Sequence, residues 1–301
     1  MDAEILKKVG KSLYQLNIPK ELKRYLVFMG RCYVHKKDME GLLNFFSASP
    51  LRRDLLKGNP SFVEQVTRAF FYKDSTFDGR IKIVENHIKL LEEATTEDFL
   101  QSIYCKREKL TIWQEDFEGA PLALKVWFHG GQRKEGCLAL SLNLGDREMY
   151  QIMFWLSPGL EGEKSSLWIG AIQGTPQGSD VIKALTKRFF GYRTKNLIFY
   201  GLRNLAGELK CQNIYAVTND GYYAMNHIRR DRKLKTSFGD FWEECGGTSC
   251  TDKRFFKIPL EEYRKDMSEL KPSKRAQHRR RFEVMDAITE AIHNNMSGMV
   301  R

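Results

Sequence analysis

The hydrophobic period changes near Lys109, and this change limits what the chain can fold into. Upstream, apolar residues recur at helical spacing: Ile5, Val9, Leu13 and Leu16, then Leu22 to Met29, then Leu42 to Phe46, with breaks at Pro19, Pro50, Gly58 and Pro60. Residues 1–105 are therefore expected to form an all-helical region. Ser61 followed by Glu64 has the capping-box pattern ahead of a Phe62–Phe71 segment, and Ile81, Val84, Ile88 and Leu91 continue one apolar helix face. The Phe45–Phe46 and Phe70–Phe71 pairs are read as packing residues. Downstream, the runs Leu110–Trp113, Leu122–Phe128, Cys137–Leu144, Met149–Leu156 and Leu167–Ile172 are short and rich in aromatic or β-branched residues. Their connectors, Gly130–Arg133, Gly145–Arg147 and Gly159–Lys164, are short enough for hairpins, which predicts an antiparallel meander. The helical period returns from Ser179 or Asp180 to Phe189 and from Lys195 to Lys210, and Asn213–Val217 reads as one more strand. A basic-headed helix is expected to close the chain, with Val284, Ile288 and Ile292 at helical spacing. The fold class is thus α+β, divided into a helical region (1–105), a mixed, mainly antiparallel sheet with flanking helices (106–260) and a basic C-terminal helical extension (261–301).

The charge balance narrows the partners. Forty-nine Lys and Arg against 38 Asp and Glu give a net charge of +11, which favours an anionic partner such as acyl-CoA, RNA or lipid headgroups. Two clusters could bind phosphates: Arg229, Arg230, Arg232, Lys233 and Lys235, and the run Lys271–Arg281 with Lys274, Arg275, Arg279, Arg280 and Arg281. The N-terminal segment lacks the apolar core of a secretory signal, and no run reaches the ~18 apolar residues of a spanning helix, so a cytoplasmic location is expected. The six cysteines have no Cys-x-x-Cys spacing and read as reduced thiols. A zinc site at Cys245 and Cys250 would need two further ligands from elsewhere, so no metal is expected.

Among candidate bases, Glu208, His227, Asp240, Glu243 and Glu244 share no spacing that demands a common site, and His129 and His227 read as surface or satisfied polar residues. The turn from Ile172 to Ser179 joins a strand to a helix N-terminus, where backbone N–H groups can hold a phosphate. It resembles the acyl-CoA pyrophosphate loop of the GNAT acyltransferase superfamily, matching its pattern at Gln173 and Gly178 and departing from it at Pro176, which lacks an N–H. That resemblance implies a GNAT-like sheet and acyl-CoA binding through Gln173, Gly174, Gly178 and Ser179.

A second resemblance covers Leu110 to the C-terminal helix. Thr186–Lys187, Gly191–Leu197, Ala216–Asn219, Phe241–Gly247 and Ser273–Phe282 look like the VirK/YbjX family of enterobacteria, with departures at Ser237–Asp240 and Phe189–Phe190. The family resemblance implies a cytoplasmic, virulence-associated protein tied to envelope remodelling, resistance to cationic antimicrobial peptides, and production or localisation of a surface virulence protein. It brings no established catalytic residue. Phe241–Trp242 ahead of Gly246–Gly247 is equally a fold-defining corner and a pocket wall, and Asn219 is a cap or turn residue or part of the same pocket. Two readings without acyl transfer follow from the same residues: an RNA-binding factor using the basic clusters, and a non-catalytic adaptor docking through residues 1–105.

Overall fold

A computed structural model describes residues 3–175, 179–226 and 237–301. The first third is helical: α1 (Ala3–Leu13), α2 (Pro19–Val34), α3 (Lys36–Ser47), α4 (Pro50–Gly58), α5 (Ser61–Thr67), α6 (Phe77–Ala94) and α7 (Glu97–Tyr104). Local chemistry fixes several starts. Pro19 and Pro50 occupy first-turn positions where a missing N–H costs nothing, and Ser49, Thr76 and Thr96 accept from the backbone N–H of Arg52, Gly79 and Phe99. The expected capping box at Ser61 does not form: Pro60 precedes α5 and Ser61 is already helical, while Glu64 is drawn to Tyr14, Arg68 and Arg133. The helix also ends at Thr67, short of Phe71, whose φ of +69° leaves helical space.

The sheet follows as β1 (Leu110–Phe117), β2 (Ala120–Trp127), β3 (Leu138–Leu144), β4 (Arg147–Ser157) and β5 (Ser166–Gly174). Then come α8 (Ser179–Arg188), α9 (Thr194–Glu208), β6 (Asn213–Val217), α10 (Phe238–Glu244), β7 (Thr248–Ser249), β8 (Phe255–Ile258) and α11 (Pro272–Met296). Strand order is β1-β2-β3-β4-β5-β6-β8-β7, and among the described strands only β5 and β6 pair in parallel. The fold is α+β, with the expected meander from β1 to β5. Sequence reading gave no sign of β7 and β8, because runs of two and four residues are too short to show a period.

The register sorts side chains into two faces. One carries Leu124, Leu140 and Ile152; the other carries Trp127, Ala139, Ser141, Gln151, Met153, Ala171 and Gln173. Buried residues from Leu6 to Met296 form one continuous cluster, so the helical layer packs directly on the sheet. A buried relay ties the two together. Leu156 N–H donates to His87 Nδ1 (3.0 Å), which puts the ring proton on Nε2, facing Tyr104 Oη at 2.7 Å; Tyr104 donates to Cys137 O (3.0 Å). Burial holds the His87 ring neutral, its pKa pushed down to about 3.

Candidate functional site

β5 and β6 pair only from Ser166–Asn213 to Ile169–Ala216, after which β5 continues to Gly174 beside β4 alone. β6 ends at Val217, and Thr218 N–H turns away to Arg254 O. The carboxyl ends of this parallel pair therefore part, the position at which open α/β sheets generally bind ligands.

Glu135 is held at this opening. It lies in the connector between β2 and β3, after a 3-10 turn over Gly130–Gln132 in which His129 Nδ1 accepts from Gln132 N–H (3.2 Å). Two glycines let the connector press against the sheet. A Cβ on Gly170 would stand 1.9 Å from Glu135 O, and one on Gly136 would stand 2.5 Å from Phe154 N, so neither position admits a side chain. From the helical layer, Gln65 Nε2 holds Arg133 O and Gly136 O at 2.8 and 2.9 Å, and Phe71 N–H holds Lys134 O.

The Glu135 carboxylate is 1% exposed. It accepts from Gln173 Nε2 (2.7 Å) and from the Tyr222 hydroxyl. Gln132 Nε2 and Gln151 Nε2 approach Gln173 Oε1 at 3.2 and 3.5 Å, which orients its amide nitrogen toward the carboxylate. Burial pushes Glu135 up to about 7, against the pull of Tyr222, Lys134 and Gln173. Burial, then the Glu135 charge, hold the Tyr222 hydroxyl protonated far above its ordinary range. Gln151 Oε1, on the amide whose nitrogen approaches Gln173, is buried without a hydrogen-bond partner. The group can therefore accept a proton at neutral pH within a ring of neutral donors.

Across the same connector is a cleft of about 210 Å³ lined by Tyr14, Arg24, Glu64, Arg68, Arg133 and Lys134, among others. Of its two carboxylates, Glu21 and Glu64, the buried one, Glu64, accepts from Tyr14 (2.9 Å) and pairs with Arg68 (3.2 Å) and Arg133 (2.5 Å).

Comparison with known proteins assigns a family. The family described as "Protein of unknown function (DUF535)" matches residues 17–294. The chain belongs to this family. The uncharacterized protein YbjX of Escherichia coli K12 is 27% identical over 253 residues, covering 82% of this chain and 75% of that protein. An uncharacterized protein of Haemophilus influenzae is 22% identical over 276 residues, covering 89% of each. No solved structure matches. The DUF535 match begins at residue 17 and so takes in most of the helical layer, a wider span than the resemblance read from Leu110 onward.

The residues singled out in this DUF535 chain separate into groups. Gln173 reaches Glu135, while Gly174 beside it is exposed and Thr175 N–H is bonded to Met149 O. Gly178, His227, Arg229, Arg230, Arg232, Lys233 and Lys235 lie outside the described residues, and Ser179 opens α8. Trp242 is fully buried and donates to Val217 O (3.0 Å), Phe241 packs beside it, and Asn219 Oδ1 accepts from Phe238 N–H. These three fasten α10 to the end of β6. Of the C-terminal basic run, Arg281 donates to Phe190 O (2.8 and 3.2 Å) and Arg275 to Leu270 O, whereas Lys274, Arg279 and Arg280 are exposed. The acidic candidates do not converge: Glu244 pairs with Arg193 and Glu208 with His293. Among the described residues, no three His, Cys, Asp or Glu side chains gather as a metal site, and no helix is long and apolar enough to cross a membrane.

Sequence reading missed Glu135 and Tyr222. The available signal was an acid set between polar residues and Gly136 in a connector too long for a two-residue hairpin.

Proposed function

We propose that this protein transfers an acyl group from acyl-CoA to an amine or hydroxyl acceptor, with Glu135 as general base. The transfer would serve the envelope-directed, virulence-associated role that the VirK/YbjX resemblance implies. The observation that carries the reading is the buried Glu135 carboxyl, pushed up to about 7, at the point where the parallel pair β5 and β6 parts. The strand–loop–helix passage from β5 to α8 supports it, since this is where the GNAT-like loop was read and where a phosphate would meet a helix N-terminus.

In this mechanism the acceptor's N–H or O–H donates to Glu135, and the unpartnered Gln151 Oε1 is an acceptor available to orient it. As the acceptor attacks the thioester carbonyl, its proton passes to Glu135. The carbon–sulfur bond breaks, and CoA leaves as a thiolate. Glu135 then returns the proton to solvent, and a proton from solvent restores the thiol. General-base assistance of this kind contributes roughly 10²–10⁴-fold.

The test is release of free CoA thiol by the full chain with acetyl-CoA and a long-chain acyl-CoA, against a panel of amine and hydroxyl acceptors, alongside thermal unfolding. An acyl-CoA at ~100 times its Kd should stabilise the protein by about 2.7 kcal/mol, and the shift should persist in moderate salt. Thiol release equal in wild type and E135Q, or no shift with any acyl-CoA, would sink the reading.

A further inference from the structure

Among the described residues, nine large apolar side chains are exposed, and six of them fall between residues 18 and 34: Ile18, Leu22, Leu26, Val27, Tyr33 and Val34. Five of the six lie within α2. Turning ~100° per residue places Leu22, Leu26, Val27, Tyr33 and Val34 within an arc of about 140°. The opposite side buries Phe28 and Cys32 against the core. α2 therefore has two apolar faces, and only one is covered by the fold. Exposure of 60% at Leu26, 74% at Tyr33 and 77% at Val34 is far from the scattered single contacts of an ordinary surface.

The same surface is cationic. Lys23 falls inside the apolar arc and Lys20 at its border; both are exposed, and neither makes an ion pair among the described residues. Lys36 and Lys37, also exposed, follow directly at the start of α3. Residues 3–37 hold nine Lys and Arg against two Glu. This combination selects the occupant. A second copy of the chain would bring the same positive charge against itself, and like charges face to face oppose association. An apolar stripe with lysines within and beside it suits a bilayer boundary, where the side chains enter the acyl region and the ammonium groups meet anionic headgroups.

We propose that the outward face of α2 docks on the surface of an anionic lipid bilayer, with Leu22, Leu26 and Tyr33 inserted and Lys20 and Lys23 on the headgroups. The contact holds the protein at the interface without spanning it. It stands apart from the Glu135 site and does not depend on acyl transfer.

The experiment is co-sedimentation of the full chain with vesicles of phosphatidylcholine alone or mixed with phosphatidylglycerol, at low and moderate salt. Binding is expected to the mixed vesicles, falling with salt. Each lysine near the surface strengthens binding roughly fivefold, so K20Q/K23Q should weaken it roughly 30-fold. L26E/Y33E should weaken it at least tenfold with an unchanged unfolding temperature, since both side chains point into water. L160E, at an exposed leucine elsewhere, should leave binding unchanged. The proposal is overturned by equal binding to both vesicle types or by no binding at low salt. It is also overturned if binding survives both α2 variants and is lost in R279Q/R280Q, or if α2-dependent retention on polyglutamate occurs without vesicle binding.

Discussion

Glu64 reaches the β2–β3 connector from α5 and Glu135 lies within it; they are 2% and 1% exposed, yet they are satisfied in opposite ways. Glu64 sits between the guanidinium groups of Arg68 and Arg133, whereas the bonded partners of Glu135 are the neutral Gln173 and Tyr222. Burial is the same, so burial does not decide the role. Partner charge does: the ion pairs to Arg68 and Arg133 make Glu64 a clasp between α5 and the connector. Neutral donors leave Glu135 free to exchange a proton near pH 7.

The sharpest way to break the contrast is E135Q, which keeps the side chain's shape and removes its basicity. Turnover should fall roughly 10²–10⁴-fold with the fold retained, read by thiol release and circular dichroism. Stability should respond as well. The pKa of Glu135 is raised in the folded state, from 4.5 to about 7, so its stabilising contribution is complete below about 4.5 and is lost as pH rises through about 7. Between pH 4.5 and 8, wild type should lose about 3 kcal/mol relative to E135Q. Parallel unfolding curves for the two proteins across that window would mean that Glu135 is not a titrating group.

The matching change on the other side, E64Q, should behave in the opposite sense. It leaves two guanidinium groups facing an uncharged amide and should cost about 2–3 kcal/mol, below the ~3–5 kcal/mol of a fully buried pair. Arg68 and Arg133 are each more than a quarter exposed, so water screens part of the loss. Turnover at a temperature well below unfolding should stay near wild type. A loss of activity as large as that of E135Q, with stability intact, would assign the chemistry to the Glu64 cleft.

The same contrast shows what a linear sequence carries. The helices before Lys109 and the strands from β1 to β6 were legible because each buries one face and so repeats at 3.6 or 2. Ser61 and Glu64 have the spacing of a capping box, but Arg68 and Arg133 compete for the carboxylate, and one of them comes from 69 residues away. Glu135 has no periodic signature at all. Its burial depends on Gly170 giving way to the backbone of Glu135 and Gly136 to that of β4, which spacing along the chain does not encode. Gln173 was legible only as part of a loop, and the structure shows its side chain reaching the carboxylate that the reading missed. Arg281 looked like the third member of an exposed arginine run, yet it bonds to the carbonyl of Phe190, whose φ is +52°.

The smallest effect expected sharpens the role of the neutral donors. Tyr222 donates to the Glu135 carboxylate and so stabilises its charged form, opposing burial more strongly than Lys134 or Gln173 does. Y222F keeps the ring and removes that hydrogen bond, so the acid should become weaker still. The pH dependence of kcat/KM, rising through about 7 in wild type, should move up by about one unit, equivalent to about 1.4 kcal/mol. At pH 9, where Glu135 is ionised in both proteins, the rates should converge, because the change alters how readily the base ionises and leaves its position intact. A limb that moves to lower pH, or a uniform loss of rate at every pH, would mean that Tyr222 acts on the substrate itself and not through Glu135.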